Sequence, residues 1–350
     1  MGYVIGDALT ELKNLEPNTF NCVVTSPPYW GLRDYGTGRW TGGDPDCRHD
    51  SREGVCASCG ARHVDFQLGL EQTLEEYLER MVEVFAEVHR VLRDDGTLWL
   101  NIGDSYIRSS TSGSRDSNRW PKQSCKLINP KRTNSPHGSL KIKDIAGVPW
   151  RLAFALQDYG WYLRQDIIWH KLNPMPESVR DRCCKSHEYI FLLTKNEQYH
   201  FDADAIKEPV TGTAHSRGSG VNPKARKSNT GVGWGYTEGK PKPRAKQNSS
   251  FSAAVSGLVD SRNKRSVWQV ATHPYKGSHF ATFPPELINP CILAGCPVGG
   301  KVLDPFLGSG TVGEVCERLG RDWFGIELNP DYESLIQERT AQIGLFNTER

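Results

Sequence analysis

Lys301-Val302-Leu303-Asp304-Pro305-Phe306-Leu307-Gly308-Ser309-Gly310-Thr311 reads as a short apolar strand that ends on a carboxylate, turns through glycines and enters a helix. Glycine permits the tight turn and lets backbone approach a ligand closely. The helix expected over 311–319 offers unpaired N–H groups at its start. Phosphate is not the obvious ligand, because a P-loop would place Gly-Lys-Ser/Thr here and no lysine is present. The dinucleotide pattern G-x-G-x-x-G also fits poorly, since Asp304 precedes the glycines. Trp323–Glu327 reads as the next strand. Glu327 ends it, 23 residues after Asp304, where a carboxylate can accept hydrogen bonds from ribose hydroxyls. A glycine turn that binds nothing is the plainer reading, and two acids and two glycines in this order argue against it.

Near the start of the chain, Cys22-Val23-Val24 forms a second short apolar run and leads into Thr25-Ser26-Pro27-Pro28-Tyr29-Trp30. Two consecutive prolines cannot continue a strand, so the chain must turn and leave Ser26 and Tyr29 at the strand's end. Gly6-Asp7 is turn-like and precedes a helix expected from Leu9 to Leu15. Thr73 and Glu76 make a capping box for a helix whose Tyr77, Leu78, Met81, Phe85, Val88 and Leu92 fall at helical spacing. Asp95-Gly96 reads as a turn and 97–101 as a strand. A helix is expected over 148–156, ending near Gly160, with strands over 161–169 and 189–194. Further helices are expected over 285–293 and 332–343. Strands alternating with helices predict an α/β fold built on a parallel, doubly wound sheet. No internal repeat is visible.

Composition bounds the rest. A chain of 350 residues makes one large domain or two smaller ones, and ten tryptophans help supply a core. No apolar run reaches membrane-spanning length and the N-terminus lacks a signal pattern, so the protein reads as soluble and cytoplasmic, with no membrane partner. Ten cysteines in a chain this long are not a disulfide scaffold. Four protein ligands, Cys47, His49, Cys56 and Cys59, lie at knuckle spacing within a Gly-, Cys- and His-rich insertion at 36–70, with His63 an alternative to His49. That set suits tetrahedral zinc in a closed, structural site that staples an otherwise coreless loop. A redox pair is the rival, but it would normally sit at a helix start after a strand. The net charge of +2 hides an asymmetry: segments 108–143 and 203–265 each carry +8, which leaves −14 for the remainder. Two basic segments on an acidic body suggest a polyanion partner, and Trp120, Trp234 and Tyr236 lie among the basic residues. Solvated loops are the plainer alternative.

These segments together resemble one family. Asp304–Thr311 is similar to the S-adenosylmethionine motif of DNA amino-methyltransferases, and Thr25–Trp30 to their catalytic motif. The catalytic motif comes first here, with a variable insert between the two. That order resembles the beta group, a circular permutation of the same Rossmann-like methyltransferase fold. The resemblance covers nearly all of the chain outside 36–70, 105–145 and 203–270. His279–Leu287 resembles the segment that precedes the cofactor loop and packs on the methionine end. Thr97–Asp104 and Asp166–Pro176 resemble later active-site motifs.

The resemblance implies a catalytic core of 1–200 plus 277–345 and a target-recognition region at 203–270, aided by the basic loop 105–145. It implies S-adenosylmethionine as cofactor. Asp304, Phe306 and Gly308 would line the methionine side, within a loop completed by Pro305, Ser309, Gly310 and Thr311. Glu327 would meet the ribose, and Asp7 the adenine end. It further implies double-stranded DNA as substrate, with a base flipped from the helix. The exocyclic amino group is a weak nucleophile because its lone pair is conjugated into the ring. Ser26 Oγ and the Pro27 carbonyl can accept its hydrogens and draw that lone pair out, Pro27-Pro28 make the turn rigid, and Tyr29 can stack on the base. Much of the rate would come from aligning the nitrogen with the sulfonium methyl. No covalent nucleophile is needed, so Cys22 has no role. Ser-Pro-Pro-Tyr favours cytosine-N4 over adenine-N6, because a hydroxyl is a weaker acceptor than a carboxylate and suits the more reactive amine. An RNA or protein-amide methyltransferase, or a DNA-binding protein with a degenerate site, are the alternatives. The resemblance leaves room for a homodimer, for a cognate restriction endonuclease acting on the same site, and for a knuckle that helps grip DNA.

Overall fold

The computed structural model describes residues 2–31, 35–49, 54–107, 140–209, 261–272 and 283–344. Trp120, Trp234, Tyr236 and most of the two basic segments lie outside the described residues, as does the start of 279–287. The chain divides into two compact units, Met1–Ala205 with Arg265–Arg350, and Ile206–Lys264.

The elements of the larger unit are β1 (Gly2–Ile5), α1 (Ala8–Lys13), β2 (Phe20–Thr25), β3 (Arg39–Thr41), β4 (Arg62–Val64), α2 (Leu74–Val91), β5 (Leu92–Ile102), α3 (Val148–Tyr159), β6 (Tyr162–Lys171) and β7 (His187–Thr194). In the smaller unit, β8 (Glu208–Pro209) pairs antiparallel with β9 (Ser261–Arg262), and Arg262 Nε donates to Glu208 Oε1 at 2.8 Å. The larger unit resumes with β10 (Val267–Val270), α4 (Pro285–Gly295), β11 (Lys301–Asp304), α5 (Thr311–Leu319), β12 (Asp322–Glu327) and α6 (Glu333–Gly344).

Eight strands form one sheet in the order β1-β12-β11-β2-β5-β7-β6-β10. All neighbours are parallel except where β7 runs against β5 and β6. The sheet is therefore mixed rather than wholly parallel. The connection from β6 to β7 contains no helix among its residues, and a chain that returns without a crossover must return antiparallel. Val267–Val270, expected within the recognition insert, pairs with β6 in this sheet, and Trp169 Nε1 donates to Val270 O at 2.9 Å. Only Trp268 is buried in that four-residue strand, too little to leave a periodic signal. The turn expected at Asp95-Gly96 is absorbed into β5. Its register jumps from Phe20–Leu92 to Cys22–Thr97, so Arg93–Gly96 leave the ladder as a bulge.

The sheet is covered on both faces. Leu98, Leu100 and Ile102 alternate with Thr97, Trp99 and Asn101 along β5, and all six are buried. The leucine face joins Val23 in a core with Tyr77, Met81, Phe85 and Val88 of α2 and Leu152 and Leu156 of α3. The other face meets α4 so closely that a Cβ on Gly295 would lie 2.4 Å from Thr97 Oγ1 and 2.6 Å from Trp99 Nε1. The capping box forms: Thr73 Oγ1 accepts from Glu76 N at 3.1 Å, and Glu76 Oε2 accepts from Thr73 N at 3.3 Å. Among the described residues, no helix is long and apolar enough to cross a membrane.

Strands β1, β12, β11, β2 and β5 run the same way, so the segments after Ile5, Glu327, Asp304, Thr25 and Ile102 emerge at one edge. From β11 the chain winds toward β12, and from β2 toward β5. The gap between β11 and β2 is thus the point where the winding reverses, the usual ligand crevice of such sheets.

Thr73→Ala removes the cap side chain of α2 and is expected to cost about 1 kcal/mol. The urea midpoint should fall with an unchanged slope.

Candidate active site

At the reversal point the two loops are tied together. Thr25 Oγ1 donates to Asp304 Oδ1 at 2.6 Å, and the Phe306 N–H donates to the same oxygen at 3.0 Å. Asp304 is fully buried and, with Pro27, Tyr29 and Gly310, does not line the cleft above it. Leu307 N donates to Ile326 O at 2.8 Å. Gly308 N donates to Glu327 Oε2 at 2.7 Å, and Asn329 N to Glu327 Oε1 at 2.8 Å. Gly308 and Gly310 have φ of +58° and +86°, a left-handed backbone that suits glycine. Gly310 also lets the loop lie against α6, since a Cβ there would be 3.3 Å from Ile336 Cα. Ser309 Oγ accepts from Arg339 Nη1 of α6 at 2.7 Å.

The cleft is partly enclosed and opens to solvent. Asp7, Ser26, Pro28, Pro305, Phe306, Gly308, Ser309, Thr311 and Glu327 line it, as does Phe283 from the segment before α4. Asp7 also caps α1: its Oδ2 accepts from Thr10 N at 2.9 Å and Thr10 Oγ1 at 2.8 Å. Burial pushes the carboxyls of both Asp304 and Glu327 up to about 7.

Ser26 lines the cleft and donates from Oγ to Tyr29 Oη at 3.3 Å. Tyr29 Oη donates in turn to Glu188 Oε2 at 2.8 Å and lies 3.3 Å from Asn101 Oδ1. Asn101 is itself fixed by donation from Nδ2 to Tyr189 O at 3.1 Å. The other oxygen of Glu188 is ion-paired with Lys171. Burial, and next the Glu188 charge, hold the Tyr29 hydroxyl well above its usual range, so it stays protonated. Its ring passes close to the backbone at residue 103, where a Cβ would lie 2.6 Å from Tyr29 Cε2, so glycine is needed there. Tyr77 Oη donates to Pro28 O at 3.0 Å, Trp30 Nε1 to Glu71 O at 3.1 Å, and Gly31 N to Gly69 O at 2.9 Å. The turn is thereby pinned from three directions.

Thr25, Asn101, Lys171 and Glu188 were not singled out from the sequence. Asn101 and Lys171 do lie in 97–104 and 166–176, the two stretches marked there as similar to later motifs. Glu188 left one faint signal, an acid near the start of an otherwise apolar strand.

Elsewhere, Cys47, His49, Cys56 and Cys59 bring their ligand atoms within 4.8 Å of one another. Cys47 Sγ is 3.9 Å from Cys56 Sγ, and Cys59 Sγ is 3.7 Å from His49 Nδ1. A tetrahedral zinc at about 2.3 Å from sulfur would set two thiolates about 3.8 Å apart, so the donors fit it. His49, not His63, joins the cysteines. His63 packs edge-on to Trp40, whose other contact is a stack on His49.

The profile of the N6/N4 DNA methylase family matches residues 20–338. The chain belongs to this family. It is 45% identical over 334 residues to the Type II methyltransferase M.XycI of Xanthomonas campestris pv. cyanopsidis, covering 95% of this chain and 85% of that one. It is 44% identical over 342 residues to the Type II methyltransferase M.SmaI of Serratia marcescens, covering 96% and 89%. Its fold is similar to that of the cytosine-N4-specific PvuII DNA methyltransferase, with a TM-score of 0.56 at 16% identity over 98% of this chain and 90% of that one. A putative DNA modification methylase from Thermus thermophilus, complexed with S-adenosyl-L-methionine, gives 0.52 at 21% identity over 98% and 93%. This DNA methylase is thus an S-adenosylmethionine-dependent enzyme that acts on DNA.

The raised carboxyls give the cofactor-free methylase a pH signature. Folding favours their protonated forms, so their contribution is complete below about pH 4, the unfolded value, and is lost as pH rises through about 7. Melting temperature should therefore fall from about pH 6 to about pH 8, and Asp304→Asn should lose less over that interval.

Proposed function

We propose that this methylase modifies the exocyclic amino group of a base flipped from duplex DNA, with cytosine-N4 preferred to adenine-N6. One observation carries the preference. The acceptor that the turn offers to the cleft is a hydroxyl, Ser26 Oγ, whose own proton points to Tyr29. Its lone pairs are left for an amino N–H, and a neutral oxygen draws less on that amine than a carboxylate would. Tyr29 offers an aromatic side to the base, and Glu188, neutralised by Lys171, keeps its hydroxyl turned away from the amine.

The cleft suits the cofactor. Glu327 presents a buried carboxylate at its edge, fit for ribose hydroxyls, while Gly308 exposes backbone and Phe306 an apolar side for the methionine chain. Asp7 lines the cleft from the end of β1, beside Glu327, where Gly6 N donates to Glu327 O at 2.8 Å, and would meet the adenine end. Bound there, S-adenosylmethionine supplies an electrophilic methyl group. The chain's own task is to hold the amine in line with it and to keep the lone pair free. Asp304 acts from behind, fixing Phe306 against Thr25.

The four-residue cysteine–histidine cluster supports a structural zinc rather than a redox pair, since four donors converge and none is spare. The insert 203–270 and the basic loop 105–145 are the proposed target-recognition regions, whose lysines and arginines would meet phosphates and make binding salt-dependent. Likeness to proteins named Type II methyltransferases supports modification of one defined DNA site in the cytoplasm, alongside a cognate restriction endonuclease.

The test is to incubate the protein with S-adenosylmethionine and unmethylated duplex DNA, digest to nucleosides and analyse by mass spectrometry. N4-methylcytosine is expected. N6-methyladenine would overturn the base assignment, and no modified base would overturn DNA as substrate. Ser26→Ala should lower kcat by roughly 10²-fold with little change in cofactor affinity. Glu188→Gln should lower it about tenfold, because the tyrosine loses its charged acceptor.

A further inference from the structure

Between β2 and α2 the chain leaves the sheet, forms the cysteine–histidine cluster and returns. The excursion has almost no core of its own. Its strands β3 and β4 are three residues each, and among the described residues of 36–64 only Cys56 and Ala61 are buried. A hairpin of that size does not stand alone in water. Its two legs are tied to each other instead. Tyr35 N donates to Gln67 Oε1 at 2.8 Å and Thr37 Oγ1 to Asp65 Oδ1 at 2.9 Å, while Gln67 N donates to the same Asp65 oxygen at 3.0 Å within the return leg. The outgoing leg fits against the return only because residue 38 is glycine, where a Cβ would lie 2.3 Å from His63 Cε1. The cluster's own turn is equally tight, since a Cβ on Gly43 would lie 2.8 Å from Cys59 Sγ.

Both legs line the cleft in which Glu327 and Gly308 stand. Tyr35 and Thr37 contribute from the outgoing leg, and Phe66, Gln67 and Leu68 from the return. Phe66 is 53% exposed, an aromatic side available to a purine at the mouth of the cleft.

We propose that the knuckle insertion is the outer wall of the cofactor site, so that metal binding at Cys47, His49, Cys56 and Cys59 controls affinity for S-adenosylmethionine rather than grip on DNA. The inference rests on the reading of that cluster as a zinc site. Zinc fixes the far end of the hairpin, the hairpin fixes the spacing of its legs, and the legs set the position of Phe66 and Gln67 against Gly308 and Glu327. Without the metal, ordering this wall must be met from binding energy, and affinity falls accordingly.

The experiment uses the full-length protein with its metal content measured. About one zinc per chain is expected, and the lack of any stoichiometric metal would overturn the zinc reading itself, whatever the cofactor titration gives. Chelated protein, shown to be folded by circular dichroism, is then titrated calorimetrically with S-adenosylmethionine and separately with labelled duplex DNA. The expected result is a cofactor Kd raised about tenfold or more, with duplex affinity within about twofold. An unchanged cofactor Kd would overturn the proposal, and an unchanged Kd with weakened DNA binding would assign the knuckle to DNA instead. Should chelation unfold the chain, Phe66→Ala and Gln67→Ala decide the matter in metal-loaded protein. Several-fold weaker cofactor binding at full zinc content supports the wall, and unchanged binding overturns it.

Discussion

The hydrogen bond from Thr25 to Asp304 joins positions 279 residues apart in sequence at the one place where the sheet reverses its winding. On one side of it the chain turns into Ser26 and Tyr29, and on the other into Phe306 and Gly308. A cleft lined from both loops keeps its shape only if the two are held in fixed relation. Bonds to charged groups contribute roughly 1.5–3 kcal/mol, and leaving one partner buried alone costs more. Asp304 is fully buried with Thr25 and the Phe306 N–H as its hydrogen-bond donors. Its raised carboxyl is the cost of that position, since burial disfavours the charged form. The site is thus braced by a group that itself stays out of the cleft.

The same logic recurs around Tyr29. Its hydroxyl is held by Glu188 and Asn101, from two strands that the turn reaches only in the folded chain. Tyr77 of α2 fixes the Pro28 carbonyl, and the segment that returns from the knuckle fixes Trp30 and Gly31. A four-residue turn cannot preorganise itself to the accuracy that methyl transfer requires. It borrows rigidity from a helix, two strands and the base of an insertion. The cysteine–histidine insertion, which looks peripheral in sequence, is accordingly continuous with both the Ser26–Tyr29 turn and the cleft.

Much of the molecule was legible before folding was considered. The glycine turn after Lys301–Leu303, the paired prolines after Cys22–Val24, the capping box at Thr73 and the cysteine–histidine spacing each follow from local chemistry, and each forms where expected. What escaped was set by partners distant in sequence. The reversal of β7, the bulge at Arg93–Gly96 and the edge strand Val267–Val270 arise from pairing, and four residues of β10 carry no periodicity to detect. Glu188 left only a faint signal for a related reason: an acid beside apolar residues gains meaning only when Lys171 and Tyr29 are placed against it.

The sequence by itself determined which chemistry is available. It set a serine and a tyrosine on either side of two prolines, an aspartate before glycines, a glutamate one strand later, and three cysteines with a histidine at short spacing. Such features depend on neighbours a few residues away, and local backbone preference is enough to express them. Tertiary structure alone decided which of these groups face the cleft and which brace it. Asp304 and Glu327 are both acids at strand ends, yet one lies beneath the loop and the other at the cleft's edge. That division depends on how parallel strands stack at one edge of the sheet and on what each carboxylate then finds within hydrogen-bonding distance, and no spacing along the chain encodes it.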